Sequence, residues 1–398
     1  MSMQTQPASE RTIEHQMLVD LVVRFVRQEL LPLEPTVLRR VTETGVLSLS
    51  SEERARLDER ARELGLAGLD APEEFGGFDM PAQVMVDVFE EFGRTVVPYE
   101  LPPDSPNLRM LMETVNDDQR ERYLGPYSRG ETKSAIAVSE PGAGSDPSVM
   151  TTRATREGDE WVLNGRKLWT SRAEYADWTI VMAVTDREKG ARGGISAFIV
   201  DKGTPGFIIE RLIPMIGGKV TAEILLDNCR IPASQLLGEE GKGFAPMQGR
   251  LSSRRLQMAA WCVGRTERAL QMLCEHASQR RTFGELLAKR QSIQWWIADA
   301  ATRVHACRLM IRDAAARVDR GDQARTQVSM VKVFATDMAW QVLDNVMQAF
   351  GAMGMTRELP LQQMANEARL MRIYEGPTEV HQWLIARNVL SQYGPLAG

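Results

Sequence analysis

After Gly241-Lys242-Gly243-Phe244, apolar residues recur every three or four positions almost to the end of the chain. Leu256, Ala260, Val263, Leu270, Leu273 and Ala277 form one stripe; Ile293, Ile297, Ala300, Val304, Cys307 and Ile311 a second; Val331, Ala335, Met338, Val342 and Val346 a third. Val380 to Leu390 supports a fourth. This spacing is that of helices with one apolar face, and such faces are buried only against one another. Residues 239–398 therefore predict a four-helix bundle.

The residues before it follow other rules. From 12 to 132 the spacing is again helical, with Leu18, Leu21, Val22, Phe25, Val26 and Leu30 on one helix that Pro32 and Pro35 should end. Ser51–Leu64 and Ala82–Gly93 read as further helices, while three prolines make Leu101–Asn107 irregular. From 133 to 238 the apolar segments are short and β-prone: Ser134–Val138, Glu160–Leu163, Trp178–Val184, Ile195–Val200, Gly206–Ile213 and Ala222–Leu226. Asn164-Gly165 predicts a hairpin turn, because both residues tolerate positive φ. Such spacing suggests a compact barrel or sandwich. The fold class expected is mainly α with a central β domain, preceded by a disordered tail at 1–11.

Charge and composition narrow the function. With 48 basic and 53 acidic residues the net charge is −5, which gives no reason to expect nucleic acid as a partner. The four cysteines (Cys229, Cys262, Cys274, Cys307) lack metal-binding spacing and read as reduced, buried thiols; the four histidines are scattered, so no metal is expected. No stretch approaches the ~18 apolar residues of a membrane span, and the polar N-terminus lacks a signal-peptide core. The expectation is a soluble, cytoplasmic protein.

Five short segments carry candidate chemistry: Val138-Ser139-Glu140-Pro141-Gly142-Ala143-Gly144-Ser145-Asp146, Lys167-Leu168-Trp169-Thr170-Ser171, Arg280-Arg281-Thr282-Phe283-Gly284 with Gln291, Gln348-Ala349-Phe350-Gly351-Ala352, and Arg372-Ile373-Tyr374-Glu375-Gly376-Pro377-Thr378-Glu379-Val380-His381. Singly, each has an ordinary reading: a Pro-Gly turn, a half-buried strand tryptophan, a basic helix end, a glutamate favoured by a helix dipole. Together, and in this α–β–α order, they resemble the acyl-CoA dehydrogenase family over nearly the whole chain.

The resemblance implies an N-terminal helical domain, a middle β-barrel and a C-terminal four-helix bundle enclosing FAD and an acyl-CoA in a homotetramer, a dimer of dimers. Glu375 would remove the α-proton of the thioester. Val138, Ser139, Trp169 and Ser171 would border the flavin ring. Gly144 and Ser145 would contact the pyrophosphate, or in the case of Ser145 the pantetheine arm. Arg280, Phe283 and Gln291, with Gln348, Gly351 and Ala352, would hold the FAD pyrophosphate and adenosine of a neighbouring subunit. Pro377 and Thr378 would adjoin the flavin, Arg255 and Gly376 the substrate, and Arg387 the CoA phosphate end. Electrons would pass to electron-transfer flavoprotein.

A flavin monooxygenase or oxidase on the same fold, and a non-catalytic CoA- or FAD-binding protein, are the competing readings; Glu375 argues against the former. Arg254 occupies the position where a subset of the family carries its base, and an arginine cannot accept a proton. The chain departs from the family at Ala352 for Gly, at Pro377, at Met215–Thr221 and at the proline-rich Leu101–Asn107. The Leu101–Asn107 segment and the Gly376-Pro377 turn favour an acyl group other than a plain medium-length chain: branched, cyclic or very long. Trp261 could shorten the cavity or pack in the core, and His381 could border the flavin or pack between helices.

Overall fold

The computed structural model describes residues 12–103, 107–190 and 193–394; the expected N-terminal tail lies outside them. Helix α1 (Ile13–Phe25) starts where the Thr12 hydroxyl accepts from the His15 N–H. The prolines do not end the helical path as expected. A π-turn (Val26–Leu30) and a 3₁₀ turn (Leu31–Leu33) carry it into α2 (Glu34–Thr44), where Pro35 occupies the first turn. There its missing N–H costs nothing, since those N–H groups have no intrahelical partner. Helix α3 (Ser51–Glu63) opens on a Ser50/Glu53 capping box, and α4 (Ala82–Gly93) follows. Next come α5 (Leu108–Thr114), α6 (Asp117–Gln119) and α7 (Gly125–Ser128).

Eight strands follow: β1 (Ser134–Ala137), β2 (Arg153–Glu157), β3 (Glu160–Thr170), β4 (Trp178–Val184), β5 (Ile195–Asp201), β6 (Phe207–Pro214), β7 (Val220–Pro232) and β8 (Leu236–Leu237). The sheet runs β6-β7-β3-β2-β4-β5-β8, with β1 beside β4 in parallel. The outer strands β6 and β8 do not pair among the described residues, so the barrel is an open one. Strand β4 is buried on both faces: Val181 and Ala183 meet Leu163 and Ile224 inside, while Trp178, Ile180 and Met182 pack on Leu111 and Tyr127 of the helices.

The hairpin expected at Asn164-Gly165 is not there. The chain turns at Gly158-Asp159, between Glu157 and Glu160, which pair across β2 and β3. Asn164-Gly165 is instead a bulge inside β3, where the register against β7 shifts. Gly165 has φ 154°, and a Cβ there would lie 2.4 Å from the Thr152 hydroxyl. Strand β2 escaped the sequence reading because Ala154 is its only apolar residue.

The short hairpin strands β9 (Arg281–Thr282) and β10 (Glu285–Leu286) separate α8 (Phe244–Gln279) from α9 (Gln291–Asp319). Then come α10 (Arg325–Phe350), α11 (Leu361–Met371) and α12 (Thr378–Tyr393). Helix α11 is an addition to the four helices expected. Helix α4 joins the same core, with Val86 buried alongside Leu256, Val304 and Val342. It crosses α8 closely: a Cβ on Gly264 would lie 1.9 Å from the Glu90 carbonyl. The Met215–Thr221 departure knits three regions together. The Gly218 carbonyl accepts from the Leu47 N–H (2.7 Å) and the Gly217 carbonyl from Gln363 Nε2 (2.8 Å). No helix among the described residues is long and apolar enough to cross a membrane.

Candidate active site

The N-terminal half of α8, the sheet and the Tyr374–Pro377 turn enclose a cleft of about 1250 Å³. The turn carries its carboxylate in an unusual backbone. Glu375 has φ 57°, a left-handed conformation that costs a non-glycine residue on the order of 1 kcal/mol, and Gly376 follows at φ 91°. Three buried side chains hold it there. Arg255 Nε donates to the Glu375 carbonyl (2.9 Å), as does His381 Nε2 (3.2 Å), and Lys332 Nζ donates to the Gly376 carbonyl (2.6 Å). His381 Nδ1 then accepts from the Ser329 hydroxyl (3.0 Å). Burial, with Arg255 and Lys332 nearby, pushes His381 down to about 3, so it is neutral at ordinary pH. Burial likewise lowers Arg255 to about 10 and Lys332 to about 8. The Glu375 N–H makes no hydrogen bond among the described residues.

The Glu375 carboxylate faces Arg250, whose guanidinium lies 3.4 Å away and is aimed by Asn107 (Nε to Oδ1, 2.7 Å). Arg254 bonds Glu100 (3.2 Å) and lies over the Trp261 ring (4.6 Å); Arg172 bonds the other Glu100 oxygen (2.6 Å). Burial alone would raise Glu100, but the two guanidiniums outweigh it and hold the carboxyl at about 2.

The opposite wall comes from the sheet. Glu140 and Ala143 bond each other's backbone across the Pro141-Gly142 turn, so the local Pro-Gly reading is correct too. The Ser139 carbonyl accepts from the Leu168 N–H (2.8 Å), joining the two sheet motifs. Beneath them, Lys167 and Glu140 form an ion pair (2.8 Å) with side chains 0% and 2% exposed. Trp169 sits at an irregularity of β3 with φ 62°, its side chain half exposed toward the cleft.

Val138, Ser139, Gly144, Ser145, Trp169 and Ser171 line this wall; Arg255, Glu375, Gly376 and Pro377 line the other. Thr378 is buried behind the turn, its N–H donating to the Arg372 carbonyl (3.1 Å). The remaining residues lie elsewhere. Arg280 ends α8, 25 residues past Arg255, which at ~1.5 Å per residue is roughly 37 Å along the helix. Phe283 is fully exposed with φ 50°, and Gln291 is exposed at the start of α9. Phe350 stacks on His276 (4.1 Å), which brings Gln348, Gly351 and Ala352, all exposed, to that same far end. Arg387 is exposed on α12, over the Trp383 ring (5.4 Å). One chain thus presents two separated groups of motif residues.

Sequence reasoning missed Arg250, Lys332, and the Glu140–Lys167 and Glu100–Arg172 pairs. A signal existed for two of them: Lys332 interrupts the apolar stripe of α10, and Arg250 precedes Arg254 by one helical turn. The pairs join distant segments and had none.

The chain matches the acyl-CoA dehydrogenase N-terminal domain at residues 12–131, the middle domain at 135–229 and the C-terminal domain at 241–390. It belongs to the acyl-CoA dehydrogenase family, a family of oxidoreductases that use FAD. It is 38% identical to (R)-benzylsuccinyl-CoA dehydrogenase of Thauera aromatica over 95% of this chain and 96% of that protein. It is 33% identical to the 3-(aryl)acrylate reductase of Clostridium sporogenes over 95% of this chain and 99% of that one. Among solved structures, butyryl-CoA dehydrogenase from Megasphaera elsdenii superposes with a TM-score of 0.86 at 30% identity, covering 96% of this chain and 99% of that one.

The cleft fits FAD. Neither packing nor positive φ demands glycine at 144, since a Cβ there would meet only open space. The small residue therefore clears cleft volume. An indole held exposed at positive φ beside it offers a flat apolar face for a flavin ring.

Proposed function

We propose that this protein removes two hydrogens from an acyl-CoA thioester to give the trans-2-enoyl-CoA. The observation that carries this is Glu375, a carboxylate fixed on a strained, triply tethered turn in the cleft that Trp169 and Ser171 also line. Glu375 takes the α-proton. Its own N–H donates to the thioester carbonyl oxygen, where charge develops as that proton leaves. FAD, when bound, supplies the acceptor for the hydride from carbon β. Val138, Ser139, Trp169, Ser171, Pro377 and Thr378 form or back the flavin wall, Gly144 and Ser145 the pyrophosphate end, and Arg255 and Gly376 shape the turn against the thioester.

The roughly 37 Å between Arg255 and Arg280 is too long for one chain to hold both ends of FAD. It supports Arg280, Phe283, Gln291, Gln348, Gly351 and Ala352 serving a neighbouring subunit's cofactor in a dimer of dimers. Arg387 would meet the CoA phosphates. Electrons leave to electron-transfer flavoprotein, and the enzyme works in the cytoplasm. The three domains span 12–132, 133–238 and 239–398. The benzyl and aryl groups in the relatives' names, with Pro102, Pro103 and Trp261 on the cleft wall, favour a ring-bearing acyl group.

Anaerobic titration of the purified flavoprotein with straight, branched and ring-bearing acyl-CoAs tests the reading. Bleaching of the flavin with stoichiometric enoyl-CoA supports dehydrogenation. A flavin that no thioester bleaches, but that NAD(P)H or a reduced flavin reduces, would establish the monooxygenase reading in its place.

A further inference from the structure

Beside the cleft lies a separate recess of about 20 Å³, room for roughly one water. Phe92, Tyr99, Glu100, Pro102, Pro103 and Trp261 line both spaces, so they form the partition between them. Trp261 is the largest of the six, and it is held from three sides. Its backbone cannot withdraw, because α4 crosses so closely that a Cβ on Gly93 would lie 2.5 Å from the Trp261 carbonyl. Phe89 meets the indole edge to face, with ring centroids 6.5 Å apart. The Arg254 guanidinium lies over the ring at 4.6 Å and is itself bonded to Gln257 Oε1 (2.6 Å) and Glu100 (3.2 Å). A wall braced in this way does not re-pack as an unbranched methionine would.

The position of this wall gives the cleft a depth. Toward the start of α8, Phe244 and Leu251 share a core with Val138 and Ala143 of the sheet, beside the polar Ser139–Ser145 turn. In the other direction α8 runs into the protein interior, where Trp261 packs against both the bundle core and the core of α1–α4. Arg255, which holds the Glu375 carbonyl, precedes Trp261 by six residues on α8, roughly 9 Å along the helix. A C–C bond of ~1.5 Å advances an extended chain by roughly 1.3 Å, so about seven carbons fill that length. We propose that Trp261 is the end stop of the acyl site and sets the longest acyl group the protein accepts. Of the branched, cyclic and very long groups that the sequence leaves open, this wall shuts out the very long ones. The proposal rests on Glu375 as the base and adds a depth limit, and the residue that imposes it, to that reading.

Stopped-flow flavin reduction on the holoenzyme tests it with pairs that differ in length: hexanoyl-CoA against dodecanoyl-CoA, and 3-phenylpropanoyl-CoA against 3-(biphenyl-4-yl)propanoyl-CoA. In the better-used pair the short member should have at least a tenfold higher ratio of reduction rate to Kd in wild type. Trp261→Ala with full FAD content should lower that preference tenfold or more, because the cleft then opens into the recess, and Trp261→Phe should keep most of it. If Trp261→Ala fails to hold FAD, Trp261→Leu is read by the same ratio. A wild type that uses the long member equally well, or a preference unchanged in the flavin-replete variant, overturns the proposal and leaves Glu375 as base. If no thioester reduces the flavin, the dehydrogenation reading falls, and the Kd values of the same pairs decide the end stop by themselves: a tenfold preference for the short member that Trp261→Ala abolishes supports it, and equal binding overturns it.

Discussion

Replacing Lys167 with Met should destabilise the protein at neutral pH by about 3–5 kcal/mol, the cost of removing one partner from a buried ion pair. The structure favours the lower end. Glu140 keeps three other donors: the Thr151 N–H (2.6 Å), the Thr151 hydroxyl (2.8 Å) and the Thr152 N–H (3.0 Å). Glu140→Leu should cost as much or more, because Lys167 would be left with the Val138 carbonyl (3.1 Å) and the Met150 sulfur (4.0 Å). The double variant should lose clearly less than the sum of the two. The effect depends on pH in a definite direction. Burial alone would raise Glu140, but Lys167 and the threonine donors outweigh it and hold the carboxyl at about 2, below the ordinary ~4.3. A lowered folded-state value adds stability above the unfolded value and forfeits it as pH falls through the folded one. Roughly 3 kcal/mol should therefore disappear between about pH 5 and pH 2 in wild type. In Lys167→Met most of that acid-side loss should be absent. Urea unfolding followed by tryptophan fluorescence, at fixed protein and FAD concentration and at pH 7 and 3, measures both. A loss below 1 kcal/mol at pH 7, or an equal loss at the two pH values, would refute the reasoning.

Glu375→Gln should retain FAD and bind acyl-CoA, yet reduce its flavin about 10²–10⁴-fold more slowly in stopped flow; a loss of only a fewfold would mean that another base operates. If the proposed dimer of dimers forms, Arg280→Ala should release FAD or lower the assembly's mass on gel filtration, and a fully flavinated variant of wild-type mass would remove that residue from the cofactor site. Gly165→Ala should lower stability by at least ~2 kcal/mol in the urea assay, since its Cβ would lie 2.6 Å from Thr152 Cα at a φ of 154°; a neutral result would show that the bulge can relax. Lys332→Met should free the Gly376 carbonyl and slow turnover on the order of 100-fold with FAD content unchanged, because the base would lose its alignment; unchanged turnover would show that Arg255 and His381 suffice.

Much of the architecture was legible in the chain because it rests on short-range periodicity. The stripes of α8, α9 and α10, the helical segment of α3, and the apolar runs of β4 and β5 are local patterns, and each is found as an element close to where it was expected. Local rules failed where tertiary contacts overrode them. Asn164-Gly165 has the residues of a turn, yet it is a bulge because Thr152 packs against it and β7 pairs across it. Pro35 looks like a helix terminator, yet it begins α2. At the site, the chain by itself placed Glu375 on a turn and marked the motif around Trp169. That Lys332, Arg255 and His381 hold the Glu375 turn from behind, that Arg250 rests on the carboxylate, and that Arg280 lies roughly 37 Å along α8 from Arg255 were decided only by tertiary structure. Charge pairing and cleft geometry depend on residues tens to hundreds of positions apart, and their approach is set by how α4, α8 and the sheet pack, which no local pattern records.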